Sequence, residues 1–311
     1  MEQRSIGELS VSVVGLGCNN FGMTIDEERS HSVVRAALDA GITYFDTADI
    51  YGDTHSEEWL GGALRGHRDE VVIATKFGHR AGDPPDGRGG DPAWIRSSLE
   101  ASLRRLGVET IDHYQLHQPD RHTPVAETLG ALAELKAEGK IREIGCSNFD
   151  ADKLDEAATA ANEKSLAPFA SVQNHYSVLT RTPDEAVLPA CERLEMAFVP
   201  FFPLESGLLT GKYTSTEPPE GTRLDVWQGA QRERFLNDDR LAAVQRLESY
   251  AADNDHTILE LALSWLVSHP TVASVIAGAT RPDQVAANAA AATAWTMDAS
   301  TRAEIVEAAT G

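Results

Sequence analysis

The stretch Thr43-Tyr44-Phe45-Asp46-Thr47-Ala48-Asp49-Ile50-Tyr51 carries the pattern on which the fold prediction depends. An apolar run ends in Asp46, and Tyr51 follows five residues later. The next two apolar runs end in the same way, at Lys76 and at His117. Short, continuous apolar runs are typical of β-strands that are buried on both faces. We therefore expect these polar residues at the carboxyl ends of three successive strands.

About eight such runs recur at spacings of roughly thirty residues, and helical patterns separate them. The predicted strands are Val11–Gly17, Thr43–Thr47, Val71–Phe77, Asp112–His117, Ile141–Ser147, Ala170–His175, Ala197–Phe202 and Thr271–Ala277. Eight parallel strands that alternate with helices close into a (β/α)8 TIM barrel, and 311 residues is a typical length for one. We predict an α/β chain in which residues 1–311 form one barrel domain with an N-terminal hairpin.

The segments between the predicted strands contain recognisable helix-capping residues and loop signals. Asp91-Pro92 predicts an N-cap followed by proline in the first turn of a helix, and Thr24-x-x-Glu27 predicts a capping box. Gly78–Asp91 is too rich in glycine and proline to be helix or strand, and Pro203–Asp238, which contains Glu217-Pro218-Pro219-Glu220-Gly221, is a longer break in the same pattern. Both follow barrel strands, so we expect elaborated, flexible substrate loops on the catalytic face.

Composition narrows the classes of partner. The formal net charge of −21 argues against nucleic acid or an anionic membrane as the main partner, because the long-range field repels polyanions. Three cysteines without C-x-x-C spacing predict neither a disulfide framework nor a zinc ribbon. Residues Met1–Arg4 lead into no apolar signal segment, and no apolar run reaches membrane-spanning length. We expect a cytoplasmic protein.

The four polar residues suit one chemical task. A free phenol has a pKa near 10, and an ammonium group held close to it favours the phenolate. Lys76 is expected to lower the pKa of Tyr51 in this way, while Asp46 holds and orients Lys76. His117 is expected to donate a hydrogen bond to a substrate oxygen. The set predicts proton delivery to a carbonyl oxygen, with a hydride supplied by a nicotinamide or a flavin because no side chain donates one.

Other interpretations of the same residues exist. Asp46 and Lys76 could be a structural ion pair, and Lys76 could be the Schiff-base lysine of an aldolase, since such lysines occur on barrel strands. Asp46 argues against the aldolase because it keeps the amine protonated. A metal-dependent hydrolase is disfavoured because no His-x-His pair closes a strand.

An ordered series of motifs from about Gly15 to Asn288 resembles the aldo-keto reductase family, in its bacterial and potassium-channel β-subunit-like branch. The motifs are Phe45-Asp46-Thr47-Ala48-Asp49-Ile50-Tyr51-Gly52, Ser56-Glu57-x-x-Leu60-Gly61, Ala74-Thr75-Lys76, Asp112-x-Tyr114-Gln115-Leu116-His117, Gly145-Cys146-Ser147-Asn148-Phe149, Gln173-Asn174-x-Tyr176 and Pro203-Leu204-x-Ser206-Gly207-Leu208-Leu209-Thr210-Gly211-Lys212-Tyr213.

The resemblance implies an NADPH-dependent carbonyl reductase without a metal, acting on a small-molecule aldehyde or ketone. It implies that Tyr51 is the general acid, that Lys76 and Asp46 tune it, and that His117 positions the carbonyl. The cofactor residues that it implies are Ser147, Asn148 and Gln173 for the nicotinamide carboxamide, Phe201 for stacking on the ring, and Leu204, Ser206 and Gly207 for the pyrophosphate.

The segment implied for the adenosine 2′-phosphate departs from the family pattern. Its implied contacts are Gly278, Thr280, Arg281, Gln284 and Asn288. Gly278 and Gln284 stand where many members carry basic residues, and Arg281 is the nearby cation. NADPH is the expected cofactor, and NADH is not excluded. The channel-associated relatives leave a second hypothesis open, a redox-sensing or regulatory subunit that binds NADP(H) and turns over little. The resemblance leaves the oligomeric state undecided.

Overall fold

A computed structural model describes residues 1–79 and 89–311 of the chain. An antiparallel hairpin, β1 (Gln3–Ile6) and β2 (Leu9–Ser12), precedes a closed barrel of eight parallel strands. The barrel strands are β3 (Val14–Gly17), β4 (Tyr44–Asp46), β5 (Val72–Phe77), β6 (Ile111–Leu116), β7 (Ile141–Ser147), β8 (Ser171–His175), β9 (Ala197–Phe201) and β10 (Val275–Gly278). Their spatial order follows the chain, and β10 closes the barrel against β3. The predicted (β/α)8 barrel with an N-terminal hairpin is confirmed.

Helices connect the strands and pack around them. The α-helices are α1 (Glu27–Asp39), α2 (His55–Ala63), α3 (Pro92–Leu106), α4 (Val125–Ala137), α5 (Ala151–Lys164), α6 (Val187–Arg193), α7 (Arg223–Val226), α8 (Ala230–Phe235), α9 (Asp238–Asp253), α10 (Ile258–Val267), α11 (Pro282–Ala291) and α12 (Ala299–Thr310). Short 3-10 helices cover Arg68–Glu70, Thr182–Asp184 and Glu205–Thr210. In the part of the chain described, no helix combines the length and the apolar character needed to cross a membrane.

The hairpin closes the amino-terminal end of the barrel. Its buried residues Ile6, Leu9 and Val11 pack into one apolar cluster with side chains of the barrel interior, including Tyr44 and Val199. The predicted strand Val11–Gly17 is therefore wrong as a single element. The chain turns at Val13, and the run is shared between β2 and β3, because the first half pairs back on β1 instead of entering the barrel.

One of the two predicted helix starts is confirmed and the other is wrong. Asp91 caps α3 as predicted, with its carboxylate accepting from the Ala93 and Trp94 amides. The predicted capping box at Thr24 is wrong, because Asp26 accepts from the Arg29 amide and starts α1. Asp26 lies directly before the acidic first turn of α1, Glu27 and Glu28, whereas Thr24 lies two residues further from the helix.

Of the predicted substrate loops, residues 80–88 lie outside the described residues. The second, Pro203–Asp238, contains a 3-10 helix and the short helices α7 and α8, so it is not irregular throughout. Its flexibility stays a prediction. Leu224 and Phe235 are buried, which gives these helices apolar anchors on the rest of the molecule.

His113 is a neutral polar residue deep inside the barrel. Its Nδ1 lies 2.8 Å from the Tyr44 hydroxyl and its Nε2 lies 3.0 Å from Ser171 Oγ. Gly145 makes room for the ring, since a Cβ there would stand 2.5 Å from Nε2. Burial, with a contribution from the Lys76 charge, lowers the pKa of His113 to about 3.

This shift predicts a loss of stability in mild acid. The unfolded chain binds a proton at His113 below about pH 6.5, whereas the folded protein does so only near pH 3, so falling pH favours unfolding. His113→Gln should reduce the slope of the unfolding free energy against pH, below about pH 6.5, by up to about 1.4 kcal/mol per pH unit. Urea unfolding at several pH values measures this slope, and an unchanged slope would contradict the assignment.

Candidate active site

A buried ion pair lies at the carboxyl end of the barrel. Asp46 is the last residue of β4 and pairs in register with Ala74, and Lys76 follows two residues later on the same face of β5. Lys76 Nζ lies 2.5 Å from Asp46 Oδ2 and donates to the Thr47 carbonyl at 3.0 Å. Lys76 is 1% exposed and Asp46 3% exposed.

The second oxygen of Asp46 is also occupied. Oδ1 accepts from Gln115 Nε2 at 3.2 Å and from Gln173 Nε2 at 2.9 Å. A buried carboxylate is costly to desolvate unless it is paired and hydrogen-bonded, and these contacts supply both. The contacts of Asp46 with Lys76, Gln115 and Gln173 thus join β4 to β5, β6 and β8 across the barrel.

Lys76 is protonated. Burial alone would lower the pKa of this amine, but Asp46 and the Tyr51 phenol outweigh burial and raise the pKa above its ordinary value. A protonated, hydrogen-bonded ammonium is a poor nucleophile, so the geometry does not favour a Schiff-base lysine.

Tyr51 lies over this pair. The Asp49 amide donates to the Lys76 carbonyl at 3.1 Å and the Tyr51 amide to the Ala48 carbonyl at 3.2 Å, which docks the connection after β4 onto the end of β5. Lys76 Nζ is 5.3 Å from the centroid of the Tyr51 ring. Tyr51 and Lys76 therefore lie close together, as the sequence predicted, although Tyr51 lies outside any strand.

The direction of the pKa shift at Tyr51 differs from the prediction. Burial raises the pKa of the phenol, and the charge and hydrogen bond of Lys76 only partly offset that effect. The expected net lowering of the pKa is therefore wrong, because the desolvation of the phenolate outweighs the effect of the Lys76 charge.

His117 directly follows β6 and faces Tyr51. The two rings meet edge to face, with centroids 5.8 Å apart. Burial, the Lys76 charge and His79 hold the pKa of His117 well below its ordinary value, so the ring is neutral. Its Nδ1 is buried, and within residues 1–79 and 89–311 it has no hydrogen-bond partner.

A cleft of about 1240 Å³ opens above these groups. Asp46, Tyr51 and His117 line it, whereas Lys76 lies beneath its wall. Its lining also includes every residue predicted to bind the cofactor: Ser147, Asn148, Gln173, Phe201, Leu204, Ser206, Gly207, Gly278, Thr280, Arg281, Gln284 and Asn288.

The three residues predicted for a carboxamide form a small network. Ser147 Oγ donates to the Gln173 carbonyl at 2.7 Å, and Asn148 Nδ2 lies within 3.1 Å of Ser147 Oγ and 2.9 Å of the His117 carbonyl. The side-chain Nε2 of Gln173 donates to Asp46, so the side-chain oxygen, Oε1, is the atom left to face a ligand.

The far end of the cleft is built by the start of α11. Gln284 Oε1 accepts from the backbone and hydroxyl of Thr280, at 2.8 and 3.1 Å. Arg281 is exposed and forms a two-point contact with Asp283, at 3.1 and 3.0 Å. An exposed ion pair of this kind is weak, so the guanidinium can exchange Asp283 for another anion.

Besides Arg29, sequence reasoning missed two cations that line the cleft, Lys212 and Arg223. Arg223 is placed by the Asn20 side chain, to which it donates, and by the rings of Phe202 and Trp227 at 6.0 Å. Neither cation forms an ion pair with a carboxylate in the part of the chain described. Arg223 lies in a stretch without periodicity, so no sequence pattern indicated it, whereas Lys212 lies within the Pro203–Tyr213 motif and was given no role.

Comparisons with known proteins agree with this geometry. The model of the Aldo/keto reductase family matches residues 13–310. The aldo-keto reductase YhdN of Bacillus subtilis (strain 168) is 35% identical and covers 98% of this chain and 92% of its own length. A rice protein (Oryza sativa subsp. japonica) named "Probable voltage-gated potassium channel subunit beta" is 32% identical, over 93% of this chain and 90% of its own.

A solved structure is similar over nearly the whole chain. The glycerol dehydrogenase AKR11B4 from Gluconobacter oxydans superimposes with a TM-score of 0.81 at 30% identity, covering 98% of this chain and 94% of that one. The matches span the barrel and its cleft rather than one motif. The chain belongs to the aldo/keto reductase family of oxidoreductases.

Proposed function

We propose that this protein reduces the carbonyl group of an aldehyde or ketone to an alcohol, with NADPH as the hydride source and Tyr51 as the proton donor. The observation that carries the proposal is the arrangement of four side chains at the base of the cleft. A half-buried phenol lies over a buried Lys76–Asp46 pair, and the neutral ring of His117 stands beside it.

Each group is in the protonation form that the reaction needs. The raised pKa keeps Tyr51 protonated before the reaction, so it has a proton to give. When the phenol loses that proton, the nearby Lys76 ammonium stabilises the phenolate. The neutral imidazole of His117 donates a hydrogen bond to the substrate oxygen and orients it.

The cleft fits an anionic dinucleotide. Lys212 and Arg223 offer positive charge without a carboxylate partner among the described residues, and Ser206 Oγ is a buried polar atom without a partner there. In our proposal Leu204, Ser206 and Gly207 meet the pyrophosphate and Phe201 stacks on the nicotinamide. Bound NADPH would supply a hydride to the carbonyl carbon.

The remaining assignments follow from the same proposal. Ser147, Asn148 and the Gln173 oxygen would bind the carboxamide. Gly278, Thr280, Gln284 and Asn288 would line the adenosine end, with Arg281 on the 2′-phosphate at the start of α11. Residues 1–311 would act as one domain on a small-molecule carbonyl. The cytoplasmic location and the absence of nucleic-acid or membrane partners stay predictions.

A second candidate is a redox-sensing subunit that binds NADP(H) and turns over little. The similarity to the rice protein named as a channel subunit favours it. Purified protein supplied with NADPH and 4-nitrobenzaldehyde or methylglyoxal distinguishes the two. Steady consumption of NADPH supports the reductase, whereas tight cofactor binding without turnover across a panel of carbonyls supports the sensor.

Tyr51→Phe should lower kcat for carbonyl reduction by roughly a hundredfold or more, because it removes the proton donor. NADPH affinity, measured by fluorescence titration, should stay within about twofold. Tyr114→Phe is the matched control, since Tyr114 is fully buried away from the cleft and its hydroxyl makes one long contact, at 3.5 Å. A Tyr51→Phe protein that turns over like the control would overturn the assigned acid.

Arg281→Ala should weaken NADPH binding by on the order of tenfold and leave NADH binding unchanged, because only NADPH carries the 2′-phosphate. Paired fluorescence titrations with the two cofactors measure the effect, with NADH as the internal control. Equal losses for both cofactors, or none, would count against a role for Arg281 in cofactor choice.

A further inference from the structure

Glu205 is a buried carboxylate that the proposed reaction does not use, and its chain neighbours Leu204 and Ser206 line the cleft. It is 0% exposed. Its Oε1 accepts from His175 Nε2 at 2.8 Å and from the Ser177 hydroxyl, and its Oε2 lies 2.6 Å from an Arg240 nitrogen. Burial by itself raises the pKa of this carboxyl, but His175 and Arg240 bring it below its ordinary value, so Glu205 is ionised.

The contacts of Glu205 connect three separate elements of the carboxyl face. Glu205 begins the 3-10 helix after β9, His175 is the last residue of β8, and Arg240 lies in the first turn of α9. Arg240 does not line the cleft. One carboxylate therefore ties the turn that follows β9 to a neighbouring barrel strand and to an outer helix.

The turn held in this way has a strained backbone. Phe202, Glu205 and Ser206 have φ values of 51°, 49° and 57°, in the left-handed region that non-glycine residues seldom occupy. Such conformations persist only where the surroundings fix them. The same turn contributes Leu204, Ser206 and Gly207 to the cleft, and a Cβ at Gly207 would stand 2.7 Å from Lys212 Nζ.

The network also reaches the ring proposed to stack on the nicotinamide. His175 stacks on Phe201, with centroids 5.7 Å apart and planes at 20°. It also stacks on Phe235 of α8, at 5.8 Å and 26°. Because Nε2 of His175 is bound to Glu205, the plane of the imidazole, and with it the position of Phe201, depends on this carboxylate.

We propose that Glu205 is a positioning residue that holds the turn 204–207 and Phe201 in the shape that binds the cofactor. This inference rests on the proposed function. Without the negative charge, the strained turn would relax for much of the time, and cofactor affinity would fall in proportion to the fraction of molecules with the turn in place. The chemical groups around Tyr51 do not touch Glu205 and would be unaffected.

The test compares Glu205→Gln and Arg240→Met with a matched control, Glu143→Gln. Glu143 is also a buried carboxylate, paired with Lys136 Nζ at 2.9 Å and accepting from the Glu8 amide at 3.0 Å, but it supports the hairpin at the other end of the barrel. Urea unfolding of each variant reports its stability, and fluorescence titration with NADPH reports its cofactor affinity.

Glu205→Gln and Arg240→Met should each raise the NADPH dissociation constant by about tenfold, corresponding to a turn in place in about a tenth of the molecules. KM for NADPH should rise likewise, while kcat and KM for the carbonyl stay within about threefold. The double variant should cost less affinity than the product of the two single losses, because both remove the same ion pair. Glu143→Gln should lose stability and keep its NADPH affinity.

The outcomes separate the inference from the function beneath it. If the unmodified protein does not bind NADPH, the proposed function fails. If it binds NADPH, and Glu205→Gln and Arg240→Met bind it as tightly as the unmodified protein does, the role of Glu205 is overturned. An equal loss of affinity in Glu143→Gln also overturns it, because the effect would then follow general stability. Arg240→Met keeps the test decisive if Glu205→Gln does not fold.

Discussion

The buried ion pair between Lys76 and Asp46 is the constraint around which the carboxyl end of this barrel is organised. Two charges with exposures of 1% and 3% require complete pairing, and the amides of Gln115 and Gln173 complete it for the carboxylate. The closed barrel supplies those partners from strands that are far apart in sequence. The same pair therefore satisfies the need of two buried charges for partners and supplies the ammonium group beside Tyr51.

Burial shifts the pKa values of the two groups beside this pair in opposite directions. It raises the pKa of Tyr51 and lowers the pKa of His117. It disfavours the charged form of each group, so it keeps Tyr51 protonated and His117 uncharged, whereas Lys76 remains ionised because Asp46 lies beside it. A neutral acid, a neutral hydrogen-bond donor and a fixed cation are the forms that proton delivery to a carbonyl requires. Burial and one charge pair together produce all three.

Periodicity and strand-end chemistry predicted the barrel and brought Asp46, Lys76 and His117 to one face, since parallel strands align their carboxyl ends. Features that depend on three-dimensional surroundings were not predictable in the same way. The direction of the Tyr51 shift follows from desolvation, which only a packed structure reveals. Arg223 and Glu205 lie in a segment without periodicity, so neither their burial nor their partners could be predicted from the sequence.

The central claim is that the buried charge pair makes Tyr51 an effective acid. The double variant Lys76→Met/Asp46→Asn tests it most directly, because removing both charges leaves no unpaired buried ion and preserves the fold. The account predicts a folded protein that binds NADPH, since neither Lys76 nor Asp46 is among the residues proposed to bind the cofactor, and that reduces 4-nitrobenzaldehyde at least roughly a hundredfold more slowly. Reduction at a rate close to that of the unmodified protein would contradict it.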